Sequence, residues 1–357
     1  MLKKINHIEL YVENLLQSSF FYERIFGLFR LQQSKIKNDS KETANAFLIQ
    51  KDIRLQLSAS LQKDNDISKH IAKHGDSVKD IAFVVANVNQ IFERAINCGS
   101  KIIESPKSLI INGQEIIFAK IGSLGSLIHT IISYSEQETI FFPELYSGET
   151  VPHFLNFSST FKAIDHIAIC IEKGTLSKWI DWYSNLFDLL ESHEENVDTG
   201  KSGMNSKVLK SATGSVKLVF TEPMQQYEKS QIQEFIDYNN GPGIQHIAFA
   251  TEDISEAVCH IKNMGLSFLK VPSKYYEKCL VDFPDMRDKI IEFQPYNILI
   301  DKDEDGYLFQ VFTQPIQTRP TTFIEIIQRQ GSKGFGNNNI NALFRMKEME
   351  QEELGTI

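Results

Sequence analysis

The sequence predicts an α+β fold built from paired βαβββ modules, two in each half of the chain, and three observations carry that expectation. Residues 6–28 read as a strand, Asn-His-Ile-Glu-Leu-Tyr-Val, and then an amphipathic helix. Residues 165–189 repeat this order with Asp-His-Ile-Ala-Ile-Cys-Ile and Trp-Ile-Asp-Trp-Tyr-Ser-Asn-Leu-Phe. Residues 75–106 align with 241–272 without a gap, so that Gly75/Gly241, Ile81/Ile247, Ala82/Ala248, Phe83/Phe249, Asn97/Asn263, Gly99/Gly265 and Pro106/Pro272 coincide. Apolar strand-like runs follow the first helix of each half, at 44–49 and 53–57 and again at 204–209 and 216–220. Two copies of such a repeat mean two similar halves, not a solenoid.

Within each half the first helix places aromatics at helical spacing, which reads as a core face and not as a cofactor box. The later module runs turn, strand, helix, glycine stop, strand in both copies. Residues 135–157, with Pro143, Gly148 and Pro152, are the expected linker. It divides an N-terminal domain, 1–150, from a C-terminal catalytic domain, 151–357. The run Asp-Lys-Asp-Glu-Asp-Gly at 301–306 lacks the spacing of a calcium loop and reads as a solvated turn before a strand at 307–313. Residues 341–354 read as an amphipathic helix ending in glutamates, placed as a lid over a pocket, with Met346 and Met349 as packing residues.

Composition narrows the partners. At 357 residues the chain exceeds one ordinary core and fits two domains. Its net charge of −9 is spread without a basic block, which argues against nucleic acid as a partner. No apolar run approaches the roughly 18 residues that span a bilayer. The chain starts directly in strand-like sequence, so no signal peptide is expected. Cys98, Cys170, Cys259 and Cys279 are scattered, which suits reduced thiols and a cytoplasmic protein.

Two histidines and a carboxylate stand out against apolar strands. His246 lies in Gly-Pro-Gly-Ile-Gln-His-Ile-Ala-Phe-Ala, His166 in Asp-His-Ile-Ala-Ile-Cys, and Glu325 in Phe-Ile-Glu-Ile-Ile. A lone sheet histidine is ordinarily a satisfied core residue, and a strand carboxylate ordinarily faces solvent. Three such residues on three strands are instead what a facial Fe(II) site requires. Glu325, flanked by Phe323, Ile324, Ile326 and Ile327, fits that role, because burying an unpaired glutamate is costly. In the first half the corresponding positions are read as His7, Asp80 and His129. They suit either a second metal centre or, more simply, strand-end polar residues with local partners.

Gly241-Pro-Gly-Ile-Gln-His-Ile-Ala, Gly306-Tyr-Leu-Phe-Gln-Val-Phe-Thr, Phe323-Ile-Glu-Ile-Ile-Gln-Arg-Gln-Gly and Gly334-Phe-Gly occur in this order. Through them the whole chain resembles the family of 4-hydroxyphenylpyruvate dioxygenases and their sister 4-hydroxymandelate synthases, within the vicinal oxygen chelate superfamily. The motifs are dense in the second half, and the first half matches more loosely. The resemblance implies two half-barrel domains, the first structural and the spare surface of a homo-oligomer. It implies Fe(II) held by His166, His246 and Glu325, with three positions left open. A small 2-oxo acid would take two of them and dioxygen the third, for decarboxylation followed by hydroxylation. Ser206, Gln231, Gln245 and Gln310 match polar residues of the substrate pocket, and Phe312, Phe323 and Phe335 match aromatics around the substrate ring. Each Phe is equally at home in an ordinary core.

Two positions depart from the dioxygenase pattern. Thr221 stands where the dioxygenases have Asn before Glu-Pro, and Ile340 stands where they have a Phe in the C-terminal helix. The aliphatic Ile340, Met204-Asn-Ser, Gln245-His-Ile-Ala-Phe, Ile121-Gly-Ser-Leu-Gly and Ile128-His-Thr read closer to the mandelate synthases, whereas Thr221 matches neither group well. The expected product is therefore 4-hydroxymandelate, with homogentisate as the alternative. A metal-free small-molecule binding module is the remote alternative.

Overall fold

The computed structural model describes residues 1–33, 42–111, 114–134, 160–224 and 229–354. The expected linker at 135–157, and with it the division at residue 150, lies outside the described residues. The first half runs β1 (Leu2–Tyr11), α1 (Leu15–Phe26), β2 (Phe29–Gln33), β3 (Thr43–Gln50), β4 (Ile53–Ser60), α2 (Asp66–His74), β5 (Ser77–Val85), α3 (Val88–Asn97), β6 (Ile102–Ile111), β7 (Gln114–Gly122) and β8 (Ile128–Tyr134). The second half begins β9 (Phe161–Cys170), α4 (Leu176–Phe187), β10 (Leu190–Asp198), β11 (Gly203–Lys210), β12 (Lys217–Pro223), α5 (Gln231–Asn239), β13 (Gly243–Thr251) and α6 (Ile254–Asn263). It continues with α7 (Ser273–Asp282), α8 (Arg287–Phe293), β14 (Leu299–Lys302), β15 (Tyr307–Phe312), β16 (Phe323–Gln330) and α9 (Asn337–Leu354).

Each half forms one eight-stranded curled sheet, ordered β2-β3-β4-β1-β5-β8-β7-β6 in the first and β10-β11-β12-β9-β13-β16-β15-β14 in the second. These are the half-barrels. The first strand of each module lies centrally, and the two modules of a half join by antiparallel pairing, β1 with β5 and β9 with β13. The repeat reaches the helix ends. Asn87 and Asp253, equivalent in the alignment, cap α3 and α6 by accepting from the backbone N–H three residues on, at 3.0 and 2.9 Å. Gly99 and Gly265 end those helices at φ +73° and +93°, a conformation that a Cβ penalises.

The halves share one apolar core. Phe26 of α1 meets Phe249 of β13 edge to face at 5.6 Å, and Phe83 of β5 meets Phe187 of α4 at 5.2 Å. All four rings are buried, each worth roughly 1.5–3 kcal/mol of transfer free energy. Among the described residues no helix is long and apolar enough to cross a membrane.

Several sequence expectations need correction. The strand expected after Gly265 does not form. Residues 266–272 make only an isolated bridge, Phe268 to Thr313, before Pro272 starts α7. Proline alone does not end the strand, since its equivalent Pro106 lies within β6; here β14, further along the chain, takes that edge of the sheet. The edge strands β2 and β10 went unread. β10, Leu-Glu-Ser-His-Glu-Glu-Asn-Val-Asp, is polar because one of its faces is solvated. α9 begins at Asn337, four residues before the expected helix. Asp301 is not part of a solvated turn. It is buried in β14 and accepts from the Asn338 backbone N–H at 3.0 Å and from its side-chain amide at 2.9 Å, at the start of α9.

Candidate metal centre and its cavity

Alternation along the central strands of the second sheet turns His166, Ala168 and Cys170 of β9 inward together. The register then assembles the site. His166 faces Ala248 of β13, which faces Glu325 of β16, while His246 lies beside Ala168 and Phe323. His166 Nε2 is 3.1 Å and His246 Nε2 is 3.4 Å from Glu325 Oε2, and one candidate ligand atom from each residue falls within 4.8 Å of the others. Glu325 is 1% exposed and His166 3%, so nothing in bulk water competes with their mutual contact.

The surroundings fix the ring orientations. His166 Nδ1 donates to Asp165 at 3.0 Å, and Asp165 is itself clamped by two Arg329 nitrogens at 2.8 Å each and by Lys217 at 3.2 Å. His246 Nδ1 donates to Gln245 Oε1 at 3.2 Å, and its ring stacks on Phe323 at 4.9 Å between centroids. With each Nδ1 held by a neighbour, both Nε2 atoms are left to face Glu325, the arrangement in which second groups orient metal-binding imidazoles. Burial pushes the Glu325 carboxyl up, but the His166 charge and hydrogen bonds from both rings hold it at about 2. Burial pushes His166 down, and Glu325 and Asp165 together carry it to about 9. The centre therefore attracts one unit of positive charge even as a proton. The donor set fits a divalent cation of the nitrogen- and oxygen-binding kind.

Above the triad lies a cavity of about 60 Å³. Ser206, Thr221, Gln231, Gln245, Gln310, Phe312, Phe335 and Ile340 all line it. Phe323 does not. It lies behind His246 and faces a neighbouring groove instead. The contacts of the rest refine their places. Gln310 Nε2 donates to Glu325 Oε1 at 2.9 Å, and its carbonyl accepts from Asn339 of α9 at 2.8 Å, so this amide links the triad to the C-terminal helix. The Ser206 hydroxyl donates to the Glu195 carbonyl at 3.0 Å, and the Thr221 hydroxyl to that of Ile169 at 3.4 Å. Phe335 meets His166 edge to face at 5.4 Å. The wall residues that the sequence reading misses include two polar ones, His193 and Glu195. Their only signal is period-two placement with Val197 inside an acidic run that reads as solvent-facing.

Among the described residues the first half has no such centre. Asp80 pairs with Ile128 as His246 pairs with Phe323, so the counterpart of Glu325 is Thr130, not His129. A shift of one residue reverses the face of a strand. His129 accordingly points to the seam between the halves, where Nδ1 donates to the Ile81 carbonyl at 3.0 Å and Nε2 lies 2.8 Å from the Tyr183 hydroxyl. His7, Asp80 and Thr130 do line a cavity of about 620 Å³. Asp80 is satisfied there by the backbone N–H of Thr130 at 2.9 Å and by its hydroxyl. Among the described residues the only His, Cys, Asp and Glu group that could hold a metal is His166, His246 and Glu325.

Comparison with known proteins agrees with this architecture. The model of the Glyoxalase/Bleomycin resistance protein/Dioxygenase superfamily matches residues 4–119 and 163–311, one segment in each half. The chain is 32% identical to 4-hydroxyphenylpyruvate dioxygenase of Dictyostelium discoideum over 99% of both chains. It is likewise 32% identical to the Danio rerio enzyme of the same name, over 99% of this chain and 91% of that one. The chain belongs to the 4-hydroxyphenylpyruvate dioxygenase family. Membership makes it an enzyme of the dioxygenase class. A mutant 4-hydroxymandelate synthase from Streptomyces coelicolor superposes with a TM-score of 0.88 at 29% identity, covering 98% of this chain and 99% of that one. The family fold thus accommodates both sister enzymes, and the two residues that depart from the dioxygenase pattern, Thr221 and Ile340, both lie on the cavity wall.

Proposed function

We propose that this chain is an Fe(II) oxygenase that converts 4-hydroxyphenylpyruvate and O2 to 4-hydroxymandelate and CO2. The observation that carries the reading is the convergence of His166, His246 and Glu325 beneath a largely apolar cavity, in a chain of this family. These three residues would hold the iron, which supplies a chelation point for the 2-oxo acid and a binding position for dioxygen. Asp165 and Arg329 keep His166 aimed at that point, and Gln310 does the same for Glu325. Phe312, Phe335, Ile340 and Leu343 wall the cavity against water, which protects reactive species from side reactions. Gln231, Gln245, Ser206 and Thr221 supply the polar contacts. At 60 Å³ the cavity is far smaller than the ~300 Å³ typical of ligand sites, so substrate admission requires α9 to shift as a lid. Residues 1–150 serve as the structural and interface domain of a homo-oligomer.

The choice of product rests on Ile340. A branched aliphatic on α9 clamps the substrate ring differently from a flat aromatic, and so turns the benzylic carbon toward the oxidant. The second reading, homogentisate formation, is favoured by the full-length relatives named as dioxygenases. Incubating iron-loaded protein with 4-hydroxyphenylpyruvate and identifying the product by mass and retention separates the two. Ile340→Phe is expected to raise the homogentisate fraction several-fold. Homogentisate as sole product of the unaltered chain sinks the role given to Ile340. Iron analysis of the unaltered chain beside His246→Ala tests the centre. Equal, negligible iron in both leaves only a metal-free binding module.

A further inference from the structure

Glu195 is a carboxylate on the cavity wall to which neither the metal centre nor the residues discussed above give a role. It is 7% exposed. Oε1 accepts from Asn341 of α9 at 3.2 Å, whereas Oε2 is buried with no hydrogen-bond partner among the described residues. Such an oxygen left unpaired costs about 1–3 kcal/mol, and more if charged. The Ser206 hydroxyl is committed to the Glu195 main-chain carbonyl, and Asp301 adds negative charge. Burial, aided by Asp301, raises the Glu195 carboxyl to about 7.

Sheet register locates this oxygen relative to the metal centre. Glu195 faces Ser206, Ser206 faces Thr221, and Thr221 faces Cys170, a single row across β10, β11, β12 and β9. The row of His193, Val208, Val219, Ala168 and His246 comes next, and that of His166 and Glu325 follows. Cys170 is four residues beyond His166, roughly 13 Å along the strand. The cavity thus has the candidate metal ligands at one end, Val208 and Val219 in the row between, and Ser206, Thr221 and Glu195 in the outer row, where Glu195 Oε2 is the acceptor without a partner. A ligand that complements this arrangement has a chelating acid head, a flat apolar body and a hydroxyl donor at its far end.

We propose that Glu195 Oε2 accepts the hydrogen bond of the substrate's distal hydroxyl, so that Glu195 makes the site select hydroxyaryl over unsubstituted aryl 2-oxo acids. The inference rests on the function proposed above and adds a residue that decides substrate choice. A site built to pair a substrate hydroxyl rejects the analogue lacking it strongly, by factors of 10⁴ or more in favourable cases.

The test compares kcat/KM for 4-hydroxyphenylpyruvate and phenylpyruvate in the unaltered enzyme, Glu195→Leu, Glu195→Ala and Glu195→Gln, each checked for iron content and melting temperature. The unaltered enzyme is expected to prefer the hydroxylated acid by at least 100-fold. The Leu and Ala variants should lose at least tenfold of that preference through the hydroxylated substrate alone, while Gln, whose carbonyl still accepts, keeps most of it. An unchanged preference in a folded, iron-bearing Leu or Ala variant overturns the inference while leaving the reaction intact. Should no form turn over either acid, the proposed reaction fails instead. Calorimetric binding of 4-hydroxyphenylacetate against phenylacetate then decides the role of Glu195, and equal affinities in the unaltered chain refute it.

Discussion

The two halves of this molecule present the same sheet, in the same strand order, around two very different interiors. In the second, His166, His246 and Glu325 converge beneath a cavity of 60 Å³ that α9 helps to wall. In the first, His7, Asp80 and Thr130 occupy the equivalent register positions and line an interior of 620 Å³. His7 is kept neutral there, its pKa pushed down to about 3 by burial, and Asp80 turns its oxygens onto Thr130. The curled sheet is therefore a frame that delivers three inward positions from three central strands. Whether those positions bind a cation depends on the side chains, since the second set offers two imidazoles and a carboxylate, whereas the first offers one imidazole and a carboxylate already bonded to Thr130.

That contrast can be broken most directly at the ligands. Glu325→Ala is expected to abolish iron binding and take turnover to background, whereas Thr130→Ala leaves iron stoichiometry and turnover within about twofold and costs about 1 kcal/mol in denaturant unfolding. Loss of iron from the Thr130 variant would mean that the halves are not independent. A smaller effect is expected one layer out. Asp165→Asn weakens the hold on His166 and should lower iron affinity by about 10–100-fold in chelator competition. No change would show that β9 packing alone sets the ring. The smallest effect concerns the outer edge of the second sheet. Because the folded-state pKa of Glu195 is raised to about 7, the native chain binds its proton more tightly than the unfolded chain does. Stability from this group is present below its unfolded pKa and is lost as pH rises toward 7. The melting temperature of Glu195→Gln, relative to the unaltered chain without substrate, should therefore climb between pH 5 and pH 8. A flat difference would place a donor on Oε2.

The three residues proposed as metal ligands were legible because each is a polar residue in an otherwise apolar strand. Such a pattern is costly without a bound partner, and in His166 and Glu325 it survives as near-complete burial. The gap-free repeat was legible because its caps and glycine stops obey local rules, and Asn87 and Asp253 indeed cap equivalent helices. Other features were hidden for physical reasons. His193 and Glu195 sit in β10, where one face is wet, so the acidic run masks two inward residues. His129 was assigned one residue away from the true counterpart because the parallel pairing of β5 with β8 sets which side chain turns inward, and pairing is not local information. The helices α7 and α8 stand where the repeat led one to expect a strand, and a later segment, β14, fills that edge of the sheet.

The sequence by itself determined the modular α+β plan, the family and the three residues proposed to hold iron, because periodicity, caps and conspicuous polar residues are written along the chain. The tertiary structure alone decided that Gln310 ties Glu325 to α9, that Phe323 backs His246 without reaching the cavity, that Thr130 replaces Glu325 in the first half, and that Glu195 ends the cavity wall. Each of these depends on strand register and on helix placement across long separations in the chain. Local propensity is blind to both, since a strand reads the same whichever neighbour it is to meet.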